Sequence, residues 1–282
     1  MVYNVCNQVF IQDNYGATMK NNLISIIIPT YNRAAYLYES ITSALEQTHT
    51  NIEVIVIDDG STDDTREIIY SLQDQRVTYH YVKHHGVVSK NRNKAISKAK
   101  GEFIAFLDSD DVWKRNKVEN QLHKIQQYNL EAAFSNVDIL HEHNGTLHSL
   151  EFPDYISNTQ DNEEILDLIL TNKLAIYAST MLLKTSILQK IGVQNTSLII
   201  SEMEFMSRII AHSKIILDKT PLVTIRKHGN NISVQSLENN FKEKFLLINE
   251  LYKKQLISKK KHKNSLLIHY HSILKSTRPK LN

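Results

Sequence analysis

Three carboxylates crowd into four positions where an apolar run ends. In "GEFIAFLDSDDVW", Asp108, Asp110 and Asp111 follow Phe106 and Leu107 directly. Carboxylates this close repel one another and call for a nearby positive charge. Arginine or lysine could supply it, but an Asp-x-Asp pair also offers the hard oxygen donors that suit Mg2+ or Mn2+. Mg2+ commonly takes one or two carboxylates and fills its shell with substrate phosphates and water. The plainer alternative is a loop whose acids cap the helix beyond Trp113.

Other segments carry groups of comparable chemistry. "SIIIPTYNR" brings Pro29, Thr30 and Tyr31 to the end of an apolar run, and "VIVIDDGSTDDT" does the same for Asp58 and Asp59. "NRNKA" contributes Arg92, "SEMEFMSR" contributes Glu202 and Glu204 ahead of Arg208, and "RKHGNNIS" contributes Arg226, His228 and Gly229. Each has a structural reading beside a chemical one. Tyr31 suits a rim aromatic, Asp59 opens an Asp-Gly turn, and Arg92 suits a solvated charge on a lysine-rich helix. Ser201 suits a helix cap, with Glu202 and Glu204 favouring the N-terminal dipole. His141 and His143 in "HEHNG" lack further ligands at metal spacing and read as a solvated loop.

The elements that must hold these groups follow from periodicity. "LISIIIP", "IEVIVIDDGS", "VTYHYV" and "EFIAFLD" read as strands. Between them lie helical patterns through Leu37, Ile41 and Ala44, through Ile68, Ile69 and Leu72, and over "VSKNRNKAISKAKG", which Gly101 is expected to stop. Strand alternating with helix implies right-handed crossovers and a mainly parallel sheet. Ligands bind beyond the carboxyl ends of such strands, so residues 30–33, 58–61 and 108–111 are expected to be neighbours. Beyond Trp113 the pattern gives a helix through Val118, Leu122 and Ile125, then a strand "AAFSNVDIL" and a polar loop over 141–161. "EEILDLIL" reads as helix, "AIYASTMLLK" as strand and "SEMEFMSRIIAHS" as helix, followed from about Asn239 by a long amphipathic stretch broken in two.

Taken in order and at this spacing, the motifs over residues 22–235 resemble the family-2 inverting glycosyltransferases with the GT-A fold. The resemblance implies a Rossmann-like, mainly parallel α/β sheet flanked by helices. It implies nucleotide binding by Pro29, Thr30 and Tyr31, with Asp59 accepting the imide proton of uracil or thymine. It also implies that Arg92 approaches the nucleotide or its diphosphate and that Asp108 binds ribose, or the metal through water. Asp110 is then the principal ligand of Mn2+ or Mg2+, joined by His228. Asp111 would orient the loop or contact the donor sugar, and Arg226 would contact the diphosphate. Glu202 falls at the position of the catalytic base. Ser201 stands where the family has an acid, Glu202 where it commonly has Asp, and Asn91 and Ala95 where it often has Ala and Gly.

Composition is compatible with such an enzyme. The 282 residues are 41% hydrophobic and 22% charged, as in ordinary globular chains. The single cysteine, Cys6, cannot form an internal disulfide, which suits a reducing cytoplasm. No stretch has the length and apolarity of a membrane span, and no signal peptide is expected. From Lys242 onward 11 Lys and Arg face two Glu, a local +9 within an overall +3, so the rest carries −6. That balance argues against a nucleic-acid partner. The lysine-rich tail either packs on the catalytic domain with its charges in water or makes peripheral contact with an anionic membrane. The expected division is an N-terminal extension over 1–21, a nucleotide-sugar-binding subdomain over 22–125, an acceptor-side and catalytic-base subdomain over 126–238, and a basic amphipathic helical tail over 239–282. Residues 1–18 precede Met19; the expectation is that Met19 is the native start or that these eighteen residues are a loose extension. The partners expected are a nucleoside-diphosphate sugar, with UDP favoured, and a glycan or lipid-linked glycan acceptor in bacterial surface polysaccharide assembly. The group transferred would be hexosyl or N-acetylhexosaminyl. A sugar nucleotidyltransferase would need a glycine-rich loop after the first strand, and "PTYNRAAYL" has no glycine. A non-catalytic sugar-nucleotide or glycan binder remains the reading from another class.

Overall fold

The computed structural model describes residues 22–150, 152, 161–198, 201–229 and 237–277. The expectations for residues 1–21 and for positions 230–233 of "RKHGNNIS" lie outside these.

Four parallel strands form the first half of one sheet: β1 (Ile24–Thr30), β2 (Ile52–Asp58), β3 (Val77–Tyr81) and β4 (Phe103–Phe106). β1 and β4 are buried throughout and β2 nearly so, which explains their unbroken apolar, β-branched sequences. Three helices connect them: α1 (Ala34–Leu45), α2 (Thr65–Ser71) and α3 (Val88–Ile96). α3 ends before the expected stop at Gly101. The glycine serves another purpose: its N–H donates to Ser25 Oγ at 2.8 Å, and a Cβ there would stand 2.6 Å from the Ser25 backbone nitrogen.

The sheet then changes direction. β5 (Val112–Trp113), α4 (Lys117–Gln127), β6 (Ala132–His141) and β7 (Thr146–Ser149) follow, so the expected polar loop over 141–161 contains a short hairpin strand. Next come α5 (Asn162–Leu170), a 3-10 turn over Ala178–Thr180, β8 (Met181–Lys184), α6 (Ile187–Ile191), α7 (Ser201–His212) and β9 (Ile215–Lys227). The single strand expected over "AIYASTMLLK" is thus the 3-10 turn followed by β8. Strand order is β3-β2-β1-β4-β8-β6-β9-β5, with β7 paired to β6. β8 runs antiparallel to both β4 and β6, and β9 runs parallel to β6. One sheet therefore passes through both expected subdomains.

Alternation along β1 divides the core. Ile24, Ile26 and Ile28 pack with Leu37, Ile41, Val118 and Leu122 on one face. Ile27 faces the other side, with Phe106, Phe134 and the apolar residues of α5 and α7. The tail is a pair of helices, α8 (Leu237–Lys253) and α9 (Lys259–Thr277), broken as expected. Leu247, Ile248, Leu251 and Ile257 join this second core, so the tail packs on the sheet-and-helix body. Among the described residues no helix is long and apolar enough to cross a membrane.

Candidate active site

Strand register brings the chemical groups to one edge. Thr30 pairs with Asp58 and Ile27 with Phe106, so β1, β2 and β4 release their loops side by side. Those loops bind one another. Asn32 N–H donates to Ser61 Oγ at 2.8 Å, and Asn32 Oδ1 accepts from Thr62 N–H at 2.8 Å.

The carboxylate loop is fixed from several sides. The Asp111 N–H closes a turn onto the Asp108 carbonyl at 3.0 Å. Ser40 and Ser43, one turn apart on α1, reach the Asp108 carbonyl and the Trp113 N–H at 3.1 Å each. Ser179, wholly buried in the 3-10 turn, accepts from the Asp108 N–H at 3.0 Å and donates to Asp111 Oδ2 at 2.5 Å. Its carbonyl accepts from the Trp113 indole at 2.9 Å, and Lys117 Nζ lies 4.0 Å from the indole ring centroid. No motif announced these serines; an isolated serine in an apolar pattern carries no local signal of a partner so far away in sequence.

The three aspartates occupy different surroundings. Asp111 is buried, and burial followed by the charges of Asp108 and Asp110 holds its carboxyl well above the usual range. It also accepts from the Arg226 N–H at 3.4 Å, so it ties the loop to β9. Asp110 meets His228 Nε2 at 2.9 Å and Arg33 Nε at 3.7 Å. Asp108 meets Arg92 Nη2 at 2.6 Å.

Arg92 is 3% exposed and enters from α3. Its other terminal nitrogen, Nη1, lies 2.8 Å from Glu202 Oε2. Burial alone would lower its pKa, but Asp108 and then Glu202 outweigh this and raise it. Glu202 Oε1 also accepts the Ala178 N–H at 3.0 Å. Glu204, by contrast, turns to Arg208 on its own helix, Oε1 lying 2.5 Å from Nε. Tyr177 stands close by: burial first, then Asp111 and Glu202, raise its phenol pKa.

At the far end of the crevice, Tyr31 stacks on His84 with centroids 4.1 Å apart. Asp59 is buried and accepts N–H bonds from His85 at 3.1 Å and Gly86 at 2.9 Å; His84 Nδ1 lies 3.2 Å from its Oδ2. Gly60 permits this approach, because a Cβ on it would stand 2.8 Å from the His84 backbone nitrogen. Pro29 and Thr30 are buried in the strand end, Thr30 Oγ1 without a hydrogen-bond partner among the described residues.

Arg226 pairs with Glu39 and, at 3.6 Å, with Glu142, and lies over Tyr36. Tyr36 stacks on His228 at 4.8 Å between centroids and donates to Glu142 at 2.9 Å. A cavity of about 600 Å3 lined by His141, Glu142, His143, Lys227, His228 and Gly229 adjoins this cluster.

The donor set fits a divalent cation that draws on its substrate. Among the described residues no three His, Cys, Asp or Glu side chains converge on one point. Asp110 and His228 nevertheless form an oxygen–nitrogen pair compatible with Mn2+ or Mg2+ completed by phosphate and water.

Comparison with known proteins bears on the family and the fold. The family model described as glycosyl transferase family 2 matches residues 25–192, more than half of the chain. An uncharacterized glycosyltransferase of Rickettsia prowazekii, RP339, is 32% identical over 232 residues, covering 78% of this chain and 71% of that one. The Escherichia coli UDP-Glc:alpha-D-GlcNAc-diphosphoundecaprenol beta-1,3-glucosyltransferase WfaP is 43% identical over 114 residues, or 40% of this chain. The chain spans less than two thirds of several curated relatives it matches, 45% of WfaP's length among them. Staphylococcus aureus TarS 1–349 in complex with UDP-GlcNAc shares the fold, with a TM-score of 0.66 at 22% identity over 81% of this chain and 66% of that one.

Proposed function

The chain belongs to glycosyl transferase family 2, and on that premise we propose that it moves a sugar from a nucleoside diphosphate to a hydroxyl with inversion. Its curled sheet with flanking helices is the GT-A fold. The donor is a uridine diphosphate sugar and the group transferred is hexosyl or N-acetylhexosaminyl. The acceptor is a glycan or lipid-linked glycan of a bacterial surface polysaccharide, which puts the enzyme in the cytoplasm near a membrane face. The similarity to WfaP supports that class of donor and acceptor.

One observation carries the reading: Arg92 spans Asp108 and Glu202, so the donor side and the base side share a single guanidinium. In the proposed reaction Tyr31 and Asp59 receive the base and Asp108 the ribose. Asp110 and His228 would hold Mn2+ or Mg2+, which would supply Lewis-acid neutralisation of the diphosphate. Glu202 takes the proton of the acceptor hydroxyl as that oxygen attacks the anomeric carbon opposite the leaving group. Arg92, with both terminal nitrogens on carboxylates, orients Glu202 rather than reaching for phosphate. Asp111 keeps the loop in shape through Ser179, and Arg226 braces Tyr36 beside His228.

A thermal-shift panel of nucleoside diphosphates with and without Mn2+ tests this. UDP should raise the melting temperature only when metal is present, and Asp110→Ala should abolish that shift. If no nucleoside diphosphate stabilises the protein under either condition, the assignment fails.

A further inference from the structure

The tail helices fold back on one another. Tyr252 stacks on His262 at 4.2 Å between centroids, and His262 Nε2 lies 2.9 Å from Asn249 Oδ1. Their inner faces are accounted for: Leu247, Ile248 and Leu251 enter the core, while Ser265 and Lys261 reach Asp167 and Glu164 of α5. The outer faces differ in kind. Lys242, Lys253, Lys259, Lys260 and Lys263 are exposed. Between them stand Phe245, Leu246, Leu267 and Tyr270, which are 48%, 53%, 56% and 57% exposed. Counted from the turn that joins the helices, Leu246 and Leu267 lie at similar depth, with most of the exposed lysines nearer the turn.

We propose that this outer face docks on an anionic lipid bilayer, with the lysines against the headgroups and Leu246 and Leu267 in the interfacial layer. The inference extends the lipid-linked-acceptor reading and identifies the surface that would bring the enzyme to such an acceptor. Charge complementarity selects the partner. Lysines near an anionic membrane attract it additively, and their stems lie along apolar surface while the ammonium groups stay in water. Residues 237–277 contain no arginine, so the face lacks the planar forks that favour nucleic-acid phosphates. Glu250 is the exposed acid among the described residues of the hairpin, and it is paired with Lys254. A two-fold contact with a second copy would set lysine against lysine.

Co-sedimentation of the full chain with vesicles tests the proposal. Binding is expected to phosphatidylglycerol–phosphatidylcholine vesicles and not to phosphatidylcholine alone, with release at high salt. Replacing Lys259, Lys260 and Lys263 by Gln should weaken binding about 100-fold, at about fivefold for each charge removed. Leu246→Glu with Leu267→Glu should weaken it as well, with circular dichroism and melting temperature retained because both positions face water. Transfer to a soluble acceptor should be unchanged in all these variants, which separates failure of this surface from failure of the catalytic reading. Absence of binding to the anionic vesicles at low salt overturns the proposal. So does lipid binding indifferent to the leucine variants, or tighter binding to duplex DNA than to vesicles. Sedimentation as a dimer that the leucine variants dissociate would assign the face to a second copy instead.

Discussion

Glu202 is tied to Arg92, its Oε2 lying 2.8 Å from Nη1 while Nη2 of the same guanidinium lies 2.6 Å from Asp108. The planar fork of arginine permits this double contact; the single ammonium of lysine does not. Arg92→Lys should therefore lower kcat by about 10- to 100-fold while the donor dissociation constant stays nearly constant. Steady-state kinetics with calorimetric donor titration check this. A weakened donor with kcat retained would make Arg92 a phosphate ligand instead.

Glu202→Gln keeps the shape and can still accept the Ala178 N–H, but an amide is a poor base. Transfer should fall by about 10²-fold or more with donor binding intact. A parental rate would remove Glu202 from the base position.

Ser179→Ala removes the donor to Asp111 and the acceptor of the Asp108 N–H together. Groups that orient metal ligands commonly matter by about 10- to 100-fold in metal affinity, and loss of that size is expected in Mn2+-dependent UDP binding. Calorimetry reads it directly. An unchanged affinity would mean that the turn onto the Asp108 carbonyl suffices to shape the loop.

Asp111→Asn addresses the raised carboxyl. Above its raised pKa the folded protein bears a buried charge that the unfolded chain carries in water, so stability falls as pH rises through the interval above the ordinary carboxylate value. The amide is free of that penalty. Where the parent carboxyl is ionised, the variant should be the more stable of the two. Denaturant unfolding should show the gap between variant and parent closing in acid.

Lys244 gives the complementary case. Burial pushes its amine down to about 8, and its Nζ meets Asn172 Oδ1 at 2.5 Å. Between pH 8 and the ordinary lysine value the unfolded chain holds more protons, so stability rises with pH over that interval. Below about 8 the burial penalty is fully present. Lys244→Met should raise the melting temperature at pH 7 and flatten this alkaline rise.

Much of the parallel half was legible because its signals are local. Runs such as "ISIIIPT" and "IEVIVID" are buried over nearly their whole length, and the alternating helices leave one consistent topology. β9 escaped notice because Asp218, Lys219, Thr220 and Pro221 interrupt its pattern, where pairing with β6 is irregular. β5 has two residues and no period to read. In the site, motif order pointed to the acids, but the partner of each depended on distant chain. The resemblance sets Arg92 towards the nucleotide or its diphosphate, and no feature near it in sequence signals Glu202, 110 residues away. The serines of α1 and the 3-10 turn were silent for the same reason.

The imidazole lying over Tyr31 and against Asp59 gives the crevice a resident of its own. A pyrimidine seeking the same ring and carboxylate would have to evict His84 first. Its apparent affinity would then be the intrinsic one diluted by the fraction of molecules in which the seat stands vacant. A feeble grip on UDP would report the tenant's hold as much as any misfit of the nucleotide.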